Sequence, residues 1–199
     1  MTEILSWLQE HRVEVSGTIS GLAYLYFSIR QSIWTWPLGL LSSALYVYVF
    51  FVSKFYADMG LQFYYVIISI YGWYAWLHGN GNSNNQGELK VSRTSFVLWV
   101  KLFIVNLLLY VGIAYILIDF TDSPVPYWDS FTTALSIVAT WMLARKKIEH
   151  WLLWVVIDAV SLGLYIYKGL YATTVLFFVY TVMAVVGFIE WRKDLANNR

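Results

Sequence analysis

Residues 56–76, YADMGLQFYYVIISIYGWYAW, and residues 171–191, YATTVLFFVYTVMAVVGFIEW, coincide at a shift of 115 positions with no gap. Tyr56-Ala57 meets Tyr171-Ala172, Leu61 meets Leu176, Phe63 meets Phe178, Tyr65 meets Tyr180, Gly72 meets Gly187 and Trp76 meets Trp191. Carried toward the N-terminus, the same shift pairs Arg30 with Arg145, Trp36 with Trp151 and Ala44 with Ala159, which brings the identities named here to ten, and sets Glu14 against Asp129. Apolar segments share residues cheaply, so the weight lies in one shift serving the whole alignment. The pattern predicts a duplicated chain.

Both segments also have the length and character of bilayer-crossing helices, which need about 20 mainly apolar residues at 1.5 Å rise each. Seven stretches qualify, at roughly 13–29, 33–53, 57–78, 94–118, 127–144, 149–167 and 170–191. Only Gly79 to Arg93 (GNGNSNNQGELKVSR) forms a longer polar connection, Gly/Asn-rich and without apolar periodicity. Three helices per copy is an odd number, so two copies joined directly would be inverted; a fourth span between them restores a parallel orientation. We therefore expect an all-α integral membrane protein with seven transmembrane helices in a 3+1+3 arrangement of parallel repeats. It forms a single membrane domain over 1–199, with repeat one about 13–78, a linker helix about 94–118 and repeat two about 127–191. Parallel repeats of this kind belong to transporter architectures, which hold substrate near the midplane at the repeat interface. The alternative is a duplicated bundle without a pathway, since fold alone does not decide function.

Composition agrees with a bilayer: 59% of residues are hydrophobic and 13% charged, against about 25% charged in soluble domains. Eleven Trp and 16 Tyr suit interfacial belts or a cavity for flat ligands. The absence of cysteine excludes disulfides, thiolate catalysis and Cys-ligated metal. A net charge of +1 with no basic tract argues against a nucleic-acid partner. The opening MTEILSWLQEHRVEV lacks a basic n-region and a small-residue cleavage site, so no cleaved signal peptide is expected. Arg30, Lys90, Arg93, Arg145, Lys146, Lys147, Arg192, Lys193 and Arg199 gather on one side, joined by a snorkelling Lys101. The other side has Arg12, Lys54 and Lys168 with Asp119, Asp122 and Asp129. The first side is then cytoplasmic, with the C-terminus inside and the N-terminus outside.

Polar residues mark candidate ligand faces. The sixth span carries Trp151, Trp154, Asp158, Ser161 and Tyr165 on one helical face. A carboxylate near the middle of a span costs about 2.5–3.5 kcal/mol on insertion scales, so Asp158 should face the interior and have a partner. As a ligand group it would anchor a cation or an amine beside a tryptophan platform; as a structural group it would clasp two helices. The second span shows Trp36, Gly39, Ser42, Ser43 and Tyr46, with Ser43 equivalent to Asp158. The third shows Gln62, Tyr65, Ser69, Trp73 and Trp76. The Gln62 amide suits a heterocycle edge or a helix-to-helix bond, and the serines suit ligand contact or close packing. Thr132, Thr133, Ser136 and Thr140 form a weaker stripe, read as packing. His11, His78 and His150 lie at helix ends without ligand spacing and read as interfacial. No phosphate loop, Glu-x-x-His pair or base-activated nucleophile is present, and the last span has no lysine for a retinal-type receptor. We expect no enzyme, no metal and no cofactor.

The segments WPLGLLSSALYVYVFF, YADMGLQFYYVIISIYGWYAW, YWDSF with SIVATWMLARK, and WLLWVVIDAVSLGLY resemble the Pnu-type vitamin transporter family, whose best-known members carry nicotinamide riboside; the likeness runs from about residue 13 to 193. Its specific parts are IYGWYAW and the RK-x-x-E-x-W-x-x-W block starting at Arg145. The resemblance implies a SWEET-like fold, a homotrimer in the cell inner membrane, and facilitated diffusion (uniport) of a vitamin trapped by cytoplasmic phosphorylation. Riboside carriers tend to show Asn where this chain has Ser42, Ser69 and Asp158. An ionised Asp only accepts hydrogen bonds, whereas Asn complements a carboxamide. Thiamine offers an exocyclic amine and a thiazolium charge, both compatible with Asp158 between tryptophans. The expectation is therefore the thiamine-carrying branch, with nicotinamide riboside, also cationic, as the alternative. The expected substrate-binding set is Trp36, Ser42, Ser43, Gln62, Tyr65, Ser69, Trp151, Trp154 and Asp158. Within it, Trp151 and Trp154 stack on the ligand.

Overall fold

The computed structural model describes residues 12–52, 56–79, 89–167, 169 and 171–197. Among them the backbone forms seven helices: α1 Arg12–Ile29, α2 Thr35–Val52, α3 Tyr56–His78, α4 Phe96–Phe120, α5 Pro126–Ala144, α6 His150–Tyr167 and α7 Tyr171–Asn197. The expected spans fall on these helices to within a few residues. Only α7 runs well past its expected end, because Arg192 to Asn197 contains no Gly or Pro to stop it. His11, the orientation residues Lys54, Lys168 and Arg199, and positions 80–88 of the polar loop lie outside the described residues.

Local chemistry explains the helix starts. Pro126 opens α5 in a position where its missing N–H is no loss, and Pro37 falls in the first turn of α2. Ser95 caps α4, its Oγ accepting from the Leu98 N–H at 3.3 Å. Four helical stretches, Thr35–Val52, Phe96–Phe120, His150–Tyr167 and Thr173–Asn197, are long and apolar enough by themselves to cross a bilayer. Polar residues dilute α3, through Asp58 and Gln62, and α5, through Asp129 and its hydroxyl stripe. Large apolar side chains of α4, among them Phe103, Leu108 and Val111, stand exposed, as a lipid-facing helix requires.

The chain separates into two units, Met1–Leu89 and Lys90–Arg199. In the first, α1 packs on α2 and α2 on α3. In the second, α4 packs on α5, α5 on α6 and α6 on α7.

The shift of 115 residues reappears in the internal geometry of each unit. Gln31 (φ 54°) and Lys146 (φ 46°) are the non-glycine residues with left-handed backbone among the described residues, and they are equivalent positions. Around Gln31, its N–H donates to Ser28 O at 3.1 Å and that of Ser32 to Phe27 O at 2.9 Å. Around Lys146, its N–H donates to Leu143 O and that of Lys147 to Met142 O, both at 2.9 Å. These are paired 5→2 and 6→1 bonds, the Schellman ending of a helix. The next helix starts alike in both units: Trp36 N–H donates to Ile33 O, and Trp151 N–H to Ile148 O.

The second unit adds a strap. Ser92 forms a parallel bridge with Lys147, with Ser92 N–H on Lys146 O at 3.0 Å and Ile148 N–H on Ser92 O at 3.1 Å. Glu149 grips Thr94 through the Thr94 hydroxyl at 2.7 Å and its N–H at 3.0 Å. Lys147 Nζ donates to Ser92 Oγ at 2.9 Å and Arg93 O at 3.2 Å. Burial and the neighbouring Arg145 lower the Lys147 pKa, against the opposing pull of Glu149. The segment leading into α4 is thereby tied to the α5–α6 turn.

Candidate functional site

In the second unit α6 presents its polar residues at three- and four-residue spacing, and the structure separates them into two roles. Trp151 is 1% exposed. It lies on Gly187 of α7, where an added methyl group would come within 2.6 Å of its ring. Trp191 meets it edge-on, with centroids at 5.8 Å and planes at 85°. His150 covers it at 4.5 Å. Trp151 is thus sealed in helix packing and has no open face for stacking. Trp154 is half-buried.

Asp158 is 5% exposed. A protein partner was expected for it, yet among the described residues no hydrogen bond or ion pair reaches its carboxylate. Its neighbours along α6 are chiefly leucine, valine and isoleucine, with Trp154 one turn before it and Ser161 one turn after. One turn on, Ser161 is buried. With Leu164 and Tyr165 it joins Asp129 and Thr132 of α5 around a cavity of about 50 Å³.

The α5 hydroxyls behave as packing groups, as expected. Ser136 Oγ donates to Thr132 O at 2.7 Å and Thr140 Oγ1 to Ser136 O at 2.8 Å, back along their own helix. His150 corrects the interfacial reading. It is fully buried, its Nδ1 is 2.7 Å from Lys147 O, and Trp191 stands 4.8 Å from its ring. The α5–α6 turn folds this end residue inward, which helix ends read from sequence do not reveal. His78, by contrast, is exposed at the end of α3, with Nδ1 3.0 Å from Tyr74 O.

The first unit repeats the tryptophan seat. Trp36 is 0% exposed and occupies the ground that a side chain on Gly72 would need. Trp76 meets it edge-on at 5.2 Å and 89°. Trp36 is therefore as enclosed as Trp151. Ser43, equivalent to Asp158, is buried, while Ser42 is half-buried. On α3, Gln62 and Tyr65 are half-buried and Ser69 is buried.

Sequence reasoning missed Tyr24. A methyl group on Gly39 would lie 2.9 Å from the Tyr24 ring and 3.2 Å from Ser69 Oγ, so α1, α2 and α3 meet at this glycine. The Tyr24 phenol is also near enough to those of Tyr64 and Tyr65 to interact with them electrostatically. Tyr24, one of two tyrosines in α1, gives no signal of this; only the packing of three helices assembles the group. Of the residues expected to bind a ligand, Trp36, Ser42, Ser43, Gln62, Tyr65 and Ser69 lie in the first unit and Trp151, Trp154 and Asp158 in the second; Asp158 is the most deeply buried charged side chain among the described residues. No group of His, Cys, Asp and Glu suited to a metal occurs among the described residues.

Comparison with known proteins bears on what such an arrangement serves. The family model described as "Nicotinamide mononucleotide transporter" matches residues 11–193. Nicotinamide riboside transporter PnuC of Escherichia coli is 29% identical over 211 residues, covering 94% of this chain and 85% of that protein. Riboflavin/roseoflavin transporter RibM of Streptomyces davaonensis is 28% identical over 182 residues, covering 89% of this chain and 83% of that protein. The crystal structure of the vitamin B3 transporter PnuC has the same fold, with a TM-score of 0.77 at 21% identity, over 100% of this chain and 88% of that one.

Proposed function

The chain belongs to the nicotinamide mononucleotide transporter family of membrane carriers, and we propose that its own cargo is nicotinamide riboside or a closely similar cationic vitamin, moved by facilitated diffusion. The observation that supports a cationic cargo is Asp158, a buried carboxylate with no partner among the described residues. Nicotinamide riboside brings an amide N–H donor and a pyridinium charge, both of which offset a desolvated carboxylate. The names of the relatives point the same way, since nicotinamide riboside is what PnuC of Escherichia coli is named for.

Trp154, half-buried one turn before Asp158, takes the stacking role in this proposal. Trp36 and Trp151, each enclosed in the packing of its own unit, take no stacking role in it. In the first unit, the polar residues Gln62, Tyr65, Ser69, Ser42 and Ser43 are proposed cargo contacts on their own helices. The matching turns at Gln31 and Lys146 and the matching tryptophan seats support parallel, SWEET-like three-helix repeats with α4 as linker. The proposal includes a homotrimer and a cytoplasmic C-terminus, the latter supported by the Lys and Arg distribution.

Thiamine is the second reading. What favours it is that Asp158 only accepts, which suits an exocyclic amine. Purified protein in liposomes, given labelled nicotinamide riboside, should show saturable uptake, and Asp158→Ala should raise the half-saturating concentration about tenfold or more, the loss of one charge-assisted bond. Competition by thiamine without uptake of the riboside would replace the first reading with the second. No saturable flux of either would reject both.

A further inference from the structure

The cavity between α5 and α6 is not needed to hold the cargo at Asp158, and its chemistry is specific. Asp129, Thr132, Ser161 and Tyr165 supply a carboxylate and three hydroxyls around about 50 Å³, room for one small polar group and far too little for a vitamin. Asp129 is half-buried, and the Ser123 hydroxyl donates to one of its oxygens at 2.7 Å. The cavity sits where α5 begins and α6 ends, opposite the basic α5–α6 turn. At the same end of this unit, Asp119 and Asp122 are exposed, and Lys168 is the one basic residue that the sequence of the unit places there. From Tyr165 through Ser161 to Asp158 the polar residues follow one face of α6, about 10 Å along the axis.

We infer that this cavity is a staging subsite for a cationic cargo, in which Asp129 receives the amide or amine edge of the molecule before it passes along α6 to Asp158. The inference rests on the proposed cationic cargo and adds a second, outer contact to it. The carboxylates at this end attract the positive ring and raise the rate of capture, while the hydroxyls bind its donor edge. Electrostatic capture of this kind changes rate at low cargo concentration and weakens with salt.

The test measures liposome uptake of labelled nicotinamide riboside at subsaturating and saturating concentration, between low and high ionic strength. Asp129→Asn keeps an acceptor for Ser123 and removes the charge. Its subsaturating rate should fall about three- to tenfold, its maximal rate should hold, and the salt dependence of the unaltered protein should flatten. Ser123→Ala removes the hydrogen bond alone and should keep that salt dependence, which separates a structural role from a capture role. Tyr165→Phe, which leaves all charges in place, should slow subsaturating uptake and keep the salt dependence, and it serves if Asp129→Asn does not assemble. Unaltered salt dependence and subsaturating rate in Asp129→Asn would overturn the inference, as would normal subsaturating uptake in Tyr165→Phe, with the carrier reading intact. Absence of saturable uptake by the unaltered protein would instead remove the carrier reading itself.

Discussion

A carboxylate at the centre of a spanning helix costs about 2.5–3.5 kcal/mol on insertion scales, and at Asp158 no described residue offsets that cost. Such a group persists where function needs it, at the expense of stability. Asp158→Leu should therefore raise the thermal stability of the cargo-free protein in detergent, by about 1–3 kcal/mol, and abolish any further stabilisation by cargo. A variant that melts earlier than the parent would show that Asp158 is a helix clasp after all. The glycines under the tryptophans make the opposite case. Gly72→Ala and Gly187→Ala each drive a methyl group into an indole ring, and overpacking of this sort typically costs about 1–3 kcal/mol. Both should lower the melting temperature, and to similar extents because the two seats are equivalent. Gly163, where an added methyl group meets nothing, is the control.

Among the connecting elements, the two left-handed turns and the strap decide how the helices are joined. A β-branched residue is strongly disfavoured at positive φ, so Gln31→Ile and Lys146→Ile should each cost about 1–2 kcal/mol. Glycine at either place should be tolerated. Unchanged stability in the isoleucine variants would contradict the shared helix ending. The strap depends on Glu149, which makes three bonds to Thr94. Hydrogen bonds to a charged group contribute about 1.5–3 kcal/mol each when buried, and less at this half-exposed site. Glu149→Ala should speed amide exchange at Thr94, and Thr94→Val added to it should cost little more, the non-additivity of residues in one network. Lys147 contributes with the opposite sign. Its pKa is lowered in the folded protein, so its burial is unfavourable while the amine is charged. That cost fades as pH rises from the depressed value toward the ordinary 10.5.

For the molecule as a whole, family membership makes the chain a multi-pass membrane transporter, and the proposed mode of transport is passive. Uptake into liposomes lacking any trapping reaction should rise to the external concentration and stop there, and collapsing ion gradients should not change it. Accumulation beyond equilibrium would mean that transport is coupled to an ion. A fluorescent reporter joined after α7 should light up in the cytoplasm if the basic residues orient the chain as proposed.

Much of this was legible in the linear pattern. Helix number and helix limits follow from runs of apolar residues, because a bilayer demands about 20 of them per crossing whatever else the chain does. The burial of Asp158 was legible for the same reason, since a charge in such a run has to face inward. What the pattern could not tell is which neighbour each inward residue meets. Trp36 and Trp151 look like ligand platforms on a helical wheel, and only the glycines 36 residues further on, at Gly72 and Gly187, draw them into the packing. The surroundings of Tyr24 and His150 and the bonds from Thr94 to Glu149 likewise arise from contacts between helices and turns distant in sequence. Periodicity determines which face of a helix is polar. The approach of other helices decides whether that face is filled by protein, as at Trp151, or left without a partner, as at Asp158.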